Sequence, residues 1–347
     1  MKAVMRHSTK AGDEGLVEIP EPVVGPGQLK LKVAYGGICS SDAHLFQMDL
    51  PAGPRFQPPV VVGHEGVGHV AEIGPGVTGF ALGDLVASET TFTCCGVCEF
   101  CRRGEVGMCR NGRKSLGWSA NGYWAEYVLV NAQFSHKLAP HVDPKGAAVL
   151  EPFTCGVKAI LQRVKVHPGD VAVVWGPGPI GLGVAQMARL AGAQVVVVGT
   201  EHSRPRLEVA KKVGAVRTLV SGVDDVVAEV KAMTNGYGAH LCSDAAGSQT
   251  TFKEAIACVR RQGNVLMMTG PFNKPLELHT FALLENELAL VYGEGTNPYS
   301  WDVAVKLLNA GLVDLDSLVS DVFPLDQWEQ AVAKTHRHEG MKILLRP

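Results

Sequence analysis

The stretch "VAVVWGPGPIGLG" limits what this chain can fold into more than any other. It sets Gly176, Gly178 and Gly181 in the spacing G-x-G-x-x-G, directly after a short apolar run and at the opening of a helical pattern. In that setting of strand, turn and helix, the spacing specifies a dinucleotide-binding unit. Gly176 permits the tight turn, Gly178 lets a pyrophosphate approach the backbone, and Gly181 lets helix and strand pack. Pro179 and Ile180 open the helix whose N-terminus faces the phosphates. The next apolar run, "QVVVVG", leads to Glu201. An acidic group there accepts hydrogen bonds from the adenosine ribose and repels a 2′-phosphate, so NAD is the expected cofactor. NADP is the alternative, because Arg204 and Arg206 follow closely enough to reach such a phosphate.

The surroundings agree with that unit. From Pro168 onward, apolar runs of strand length alternate with segments of helical spacing: "GDVAVVWG", "PIGLGVAQMARLAGA", "QVVVVG", "RLEVAKKVGA", "VDDVVAEVKAMTNG", "LCSDAAG", "TTFKEAIACVRRQG" and "NVLMMTG". Such alternation implies a parallel sheet covered by helices on both faces. Beyond residue 295, "WDVAVKLLNAGLVDL" and "KILLRP" read as a helix and a last strand. Before residue 150 the pattern is different. Segments such as "LKLKVAYGG", "VVVGHEGVGHVAEIG", "DLVAS" and "GYWAEYVLV" alternate polar and apolar residues and are cut by Gly, Pro and Asp, as half-buried antiparallel strands are. A chain of 347 residues is long enough for two such domains.

Charge excludes several functions. A net charge of −2 and a pI near 6.6 offer no basic field for nucleic acid and no polybasic tract for a membrane. The opening "MKAVMRHSTKAGDEG" lacks the apolar run of a signal peptide, and no apolar stretch is long enough to span a bilayer, so a cytoplasmic location is expected. In a reducing compartment, clustered cysteines bind metal or react more often than they form disulfides. Five of the nine cysteines lie in "CCGVCEFCRRGEVGMC". Cys95, Cys98, Cys101 and Cys109 have the spacing C-x2-C-x2-C-x7-C, which suits one tetrahedral zinc held by four thiolates. Such a closed, charge-saturated site has no place for substrate, so the cluster is expected to be structural. An iron–sulfur cluster or unmetallated thiols are the alternatives, Cys94 is a neighbour rather than a ligand, and Arg102, Arg103 and Arg110 are placed to soften the site's charge. A nucleic-acid-binding zinc ribbon would account for this lobe but leaves "GPGPIG" unexplained and requires a basic surface.

An open metal site must lie elsewhere. "GGICSSDAH" offers Cys39, Ser41, Asp42 and His44; "GHEGVGH" offers His64, Glu65 and His69; "LEPFTCG" offers Glu151 and Cys155. Taken together they supply the Cys, His and carboxylate of a three-ligand zinc site that keeps one position for water or substrate.

With these motifs in this order, the chain resembles the zinc-containing medium-chain alcohol dehydrogenase family over essentially its whole length, and within it the polyol branch of sorbitol, butanediol and threonine dehydrogenases. The resemblance implies an α/β protein with a GroES-like β-rich catalytic domain, residues 1–152 and 296–347, carrying a structural zinc lobe at 94–110. A Rossmann domain, residues 153–295, is implied between them, with substrate in the interdomain cleft. It implies two zinc ions per chain. The catalytic ion takes Cys39, His64 and Glu151, with Glu65 a ligand or the group that exchanges with water, and Cys155 the rival to Glu151. Asp42 orients His64. Zinc would lower the pKa of the substrate hydroxyl, Ser41 would take its proton, His44 would pass it through the cofactor ribose to solvent, and hydride would go to the nicotinamide. Phe46, Trp118 and Thr296 are the implied pocket residues. "GEGTNPYSW" carries Thr296 and Asn297 where sorbitol dehydrogenases have an Arg–Tyr pair, so the implied substrate is a secondary alcohol or polyol without being fixed as a long sugar alcohol. Threonine dehydrogenase-like oxidation and an NADP-dependent alcohol dehydrogenase are the neighbouring alternatives. A homo-oligomer is implied, a tetramer ahead of a dimer.

Overall fold

The computed structural model describes residues 1–47, 56–270, 275–293 and 295–347. Two compact units divide the chain: Met1–Glu151 together with Thr296–Pro347, and Pro152–Gly295. Among the described residues no helix is long and apolar enough to cross a membrane.

The first unit opens with β1 (Lys2–Arg6), β2 (Glu14–Glu18), β3 (Gln28–Gly37), α1 (Ser40–Gln47), β4 (Val60–Val61), β5 (Glu65–Ile73) and β6 (Leu85–Ser88). It continues through β7 (Thr91–Thr93), α2 (Glu99–Arg102), β8 (Lys114–Ser115), β9 (Tyr127–Asn131), β10 (Ser135–Lys137) and α3 (Pro144–Ala147) to the start of α4 (Leu150–Lys158). Strand β3 shows why a sheet forms: Leu29, Leu31 and Val33 alternate with Lys30 and Lys32, which buries one face and leaves charges on the other. It pairs antiparallel with β5 and β9. The segment "VVVGHEGVGHVAEIG" is not one strand. It breaks at Gly63, whose φ of +89° no β-strand residue adopts and where a Cβ would run into the Trp124 indole. His64 therefore sits in the break, just ahead of β5, rather than within a ladder.

The second unit contains β11 (Val171–Trp175), α5 (Pro179–Leu190), β12 (Gln194–Gly199), α6 (Arg204–Lys212), β13 (Arg217–Val220) and α7 (Val226–Met233). It is completed by β14 (Ala239–Asp244), α8 (Gln249–Cys258), β15 (Val259–Met267), α9 (Thr280–Glu285) and β16 (Ala289–Tyr292). Its six strands are all parallel, in the order β13-β12-β11-β14-β15-β16. Residues of β11 are buried throughout, as expected of a strand with helices on both faces. The order reverses between β11 and β14, and ligands bind such sheets at the carboxyl ends of the strands flanking that point. The helical reading of "TTFKEAIACVRRQG" holds only to Cys258. Val259 is already extended and pairs with Ala239, so "VRRQG" belongs to β15.

The chain then re-enters the first unit with α10 (Pro298–Asn309), β17 (Val319–Pro324), α11 (Trp328–His336) and β18 (Lys342–Arg346). Strand β18 pairs with the end of β3 at Gly36 and Gly37, which brings residues near 342 beside residues near 65.

Candidate active site

Where β3 ends, the backbone turns through Ile38 and Cys39 into α1. Asp42 fixes that turn: its Oδ2 accepts from the Cys39 amide at 3.0 Å while its own amide donates to the Cys39 carbonyl at 3.1 Å. Its other oxygen lies 3.2 Å from His64 Nδ1, an ion-pair distance without the alignment of a hydrogen bond. Asp42 thus holds both the cysteine turn and the imidazole. Burial opposes protonation of His64, but Asp42 and Cys39 outweigh it and hold its pKa well above the usual value.

Glu65 starts β5 directly opposite Gly37, and a Cβ on Gly37 would collide with the Glu65 carboxylate. The second glycine of "AYGGIC" is thus part of the site. Cys39, His64 and Glu65 offer ligand atoms that all lie within 4.8 Å of one another. Oε2 of Glu65 accepts from Lys342 Nζ at 2.5 Å, and the same ammonium donates to the Ile38 carbonyl at 3.1 Å. Both side chains are buried. Burial pulls the Lys342 pKa down, but Glu65, Cys39 and Glu151 raise it above the usual lysine range. Sequence reasoning missed Lys342. It lies 277 residues from Glu65, and no local spacing marks it.

Glu65 Oε1 is buried and has no hydrogen-bond partner among the described residues. An unpaired buried carboxylate oxygen is costly. Beside a thiol and an imidazole, it is the donor set that a zinc ion would satisfy, so the residues fit the implied metal. Glu151 does not join this close group. It is half-buried close by: desolvation raises its pKa to about 7, His64 draws it down, and Glu65 pushes it up. Two carboxylates repel each other there, and a dication would offset that repulsion. Cys155, one turn along α4, is half-buried and is likewise outside the group.

The four sulfurs of Cys95, Cys98, Cys101 and Cys109 also gather within 4.8 Å, with Cys95 and Cys101 3.9 Å apart. That matches the separation of roughly 3.8 Å expected for sulfurs bound tetrahedrally at about 2.3 Å from zinc. Backbone amides donate to the cluster, from Cys95 to Cys109 Sγ and from Cys98 to Cys95 Sγ. The amides of Cys101 and Arg110 lower the Cys98 thiol to about 6. Of the arginines expected to soften the charge, Arg110 pairs with Glu99 at 3.3 Å and Arg103 stacks on Phe100. All nine cysteines are free thiols.

In the second unit, Gly176 has φ +92°, and a Cβ there would come within 2.8 Å of the Ala245 carbonyl carbon. A Cβ on Gly181 would collide with the Gly176 carbonyl oxygen, so helix and turn need this glycine to pack. At Gly178 a Cβ would meet nothing within 4 Å. The middle glycine therefore keeps an open face where a pyrophosphate can approach, and the turn fits a dinucleotide. Pro179 is the first residue of α5 and Ile180 the second; Glu201 lies two residues past the end of β12, and Arg206 is in the first turn of α6.

Other expected positions are placed as follows. Ser41 and His44 lie on α1 three residues apart, and the His44 ring meets His336 of α11 edge-on with centroids 6.1 Å apart. Trp118 is half-buried, with its ring centroid 6.4 Å from that of His64 and its edge against Phe56. Phe46 is core instead of pocket lining: Trp124 and Trp328 pack on it, Arg6 covers it, and 7% of it is exposed. Its position on the buried face of α1 decides this. The Thr296 hydroxyl accepts from Trp301 Nε1 at 3.2 Å. Asn297 caps α10 and donates to Glu105, so neither residue replaces the charge of an arginine.

The family described as Alcohol dehydrogenase GroES-like domain matches residues 25–140, and that described as Zinc-binding dehydrogenase matches residues 179–310. A sorbitol dehydrogenase of Halalkalibacterium halodurans is 35% identical, over 100% of this chain and 99% of the relative. A D-arabitol-phosphate dehydrogenase of Enterococcus avium is 33% identical, over 99% of this chain and 97% of the relative. Among solved structures, a zinc-binding dehydrogenase from Sinorhizobium meliloti bound to NADP superposes with a TM-score of 0.88 at 30% identity, covering 100% of this chain and 99% of that one.

Proposed function

The chain belongs to the zinc-containing medium-chain alcohol dehydrogenase family, and from that premise we propose that it oxidises a secondary alcohol or polyol to a ketone with NAD as acceptor. The observation that carries this reading is the group of half-buried Cys39 with buried His64 and Glu65, and its unpartnered carboxylate oxygen. When bound, zinc supplies Lewis acidity that lowers the pKa of a substrate hydroxyl, and the dinucleotide supplies the hydride acceptor.

The chain's own residues do the rest. Cys39, His64 and Glu151 would hold the ion, with Glu65, backed by Lys342, as a further ligand or the group that exchanges with water. One thiolate, one carboxylate and a neutral imidazole leave the site near charge balance. Asp42 keeps His64 Nδ1 engaged, which leaves Nε2 for the metal. Ser41 receives the hydroxyl proton, and His44, one turn along α1, carries it toward solvent. Trp118 walls the side next to His64 and excludes water. Glu201 favours NAD through the ribose hydroxyls. Cys95, Cys98, Cys101 and Cys109 hold a second, structural ion. We place the enzyme in the cytoplasm as a homo-oligomer, a tetramer ahead of a dimer, acting on small molecules and on neither nucleic acid nor membrane.

The test is a panel of secondary alcohols, polyols and threonine, followed by the absorbance of the reduced nicotinamide, with zinc counted in the same preparation. Activity that needs Cys39 and His64, with two zinc ions per chain, is expected. Activity surviving Cys39→Ala or His64→Ala, or a single zinc held only by the four-cysteine lobe, would overturn the reading.

A further inference from the structure

Between Cys101 and Cys109 the metal lobe runs through a short 3₁₀ turn, Val106–Met108, anchored by buried Val106. The residue before that turn, Glu105, reaches a distant part of the first unit. Its Oε1 accepts from Asn297 Nδ2 at 2.9 Å, across 192 positions of sequence. Gly107 packs against the same segment: a Cβ there would lie 3.6 Å from the Thr296 carbonyl oxygen and 3.8 Å from Arg113 Nη1. Arg113 donates from Nε to Thr91 Oγ1 at 2.9 Å, which joins this patch to β7.

Asn297 is 3% exposed and serves two elements at once. Its Oδ1 accepts from the Ser300 amide at 2.9 Å and caps α10, while its own amide donates to Ser300 Oγ at 3.0 Å. With the side-chain oxygen committed to the cap and Nδ2 to the lobe, the amide is fixed at both ends. Thr296, the residue before it, is half-buried, and its hydroxyl lies 3.2 Å from Trp301 Nε1. An indole nitrogen only donates, so the Thr296 oxygen accepts and keeps its own hydrogen for another oxygen. Trp301 is buried and stacks on His136 with ring centroids 5.5 Å apart, which fixes the donor. Thr296 is thus set by α10 on its side-chain side and by the lobe along its backbone.

We propose that Glu105 is a positioning residue for substrate: through Asn297 it ties the metal lobe to Thr296, and so sets how tightly an alcohol or polyol binds. Thr296 is the group that touches substrate, donating to an oxygen away from the reacting carbon, and Glu105 acts through it. Closing the lobe on its ion fixes the loop from Cys101 to Cys109 and Glu105 with it. The four-cysteine site then has a part in specificity as well as in stability. The inference rests on the dehydrogenase reading above and on the pocket position which that reading gives Thr296.

The test uses the zinc-loaded full-length chain with NAD and, as probes, sorbitol and butanediol from the panel above. It compares Glu105→Ala with Glu105→Gln, whose amide oxygen still accepts from Asn297. Glu105→Ala is expected to raise KM about five- to tenfold with kcat within about twofold of wild type, because the lost contact serves ground and transition states alike. Glu105→Gln should stay near wild type, and NADH affinity should not change in either. Thr296→Val alone should raise KM by a similar factor, and adding Glu105→Ala to it should cost less than about twofold more, as for two residues acting through one contact. Iodoacetamide labelling of the lobe cysteines, mapped by mass spectrometry, should be faster in Glu105→Ala than in wild type or Glu105→Gln. A KM for Glu105→Ala within about twofold of wild type, a loss in kcat instead, or full multiplication of the two effects in the double variant overturns the inference and leaves the dehydrogenase reading standing. If the wild type oxidises nothing in the panel, the dehydrogenase reading fails and the substrate role with it; equal labelling of Glu105→Ala and wild type then overturns the tie to the lobe as well.

Discussion

Replacing Lys342 by methionine tests the least visible part of the site. The ammonium is 3% exposed and its partner Glu65 is 0% exposed, with 2.5 Å between Nζ and Oε2. Removing one member of a buried pair leaves an uncompensated charge, which costs about 3–5 kcal/mol. Methionine keeps most of the side-chain volume, so little of that cost comes from a cavity. For a unit of this size, about 2–4 °C is lost per kcal/mol, which predicts a fall in melting temperature of roughly 6–20 °C for zinc-free Lys342→Met. Two comparisons isolate the cause. Glu65→Gln with Lys342→Met should recover most of the loss, because neither side of the pair then carries a charge. Zinc added to the single variant should recover part of it, because a dication beside Glu65 replaces the lost cation. Thermal unfolding followed by tryptophan fluorescence reads all three. If Lys342→Met melts within about 1 kcal/mol of wild type, or if the double variant is as unstable as the single one, the pair is not what holds Glu65.

Three further outcomes follow from the geometry. Cys101→Ser should lower the zinc content from two ions to one and destabilise the first unit, while NADH affinity, which depends on the second unit, stays unchanged; metal analysis with a titration checks both. Gly181→Ala should disturb the turn by about 1–3 kcal/mol, because its new methyl meets the Gly176 carbonyl, and should weaken NADH while both zinc ions remain bound. Glu89 is 2% exposed; burial raises its pKa and His136 only partly offsets this. The folded state therefore binds more protons than the unfolded chain just above the ordinary carboxylate range. Stability should fall as pH rises through that window, and Glu89→Gln should flatten the slope in denaturant titrations.

The glycine-rich turn was legible because its requirements are local. Gly176 needs a positive φ, and Gly181 must clear an oxygen five residues away. The four-cysteine lobe was legible for the same reason, since all its ligands fall within fifteen residues, Cys95 to Cys109. Cys39 and His64 came into view through short motifs, and the family resemblance implied that Asp42 orients His64, but nothing in those motifs says that Asp42 also fixes the turn at Cys39. Phe46 was misread as pocket lining because an aromatic near a ligand motif looks the same in sequence whether it faces substrate or core. The rotation of α1 against Trp124 and Trp328 settles it.

The sequence by itself determined the two architectures, the structural cluster, the dinucleotide turn and the residue types of the metal site, all of which rest on spacing and backbone sterics within short windows. Only the tertiary structure decided that Glu65 is held by Lys342, that Glu151 stands outside the close ligand group, and that Glu201 is already engaged by Arg204. The first follows from the pairing of β18 with β3, which brings together groups 277 residues apart. The second depends on where a long side chain settles among competing charges in a half-buried site, and the third on how two exposed side chains three residues apart meet. Coulomb balance governs both positions, and it is not written in spacing.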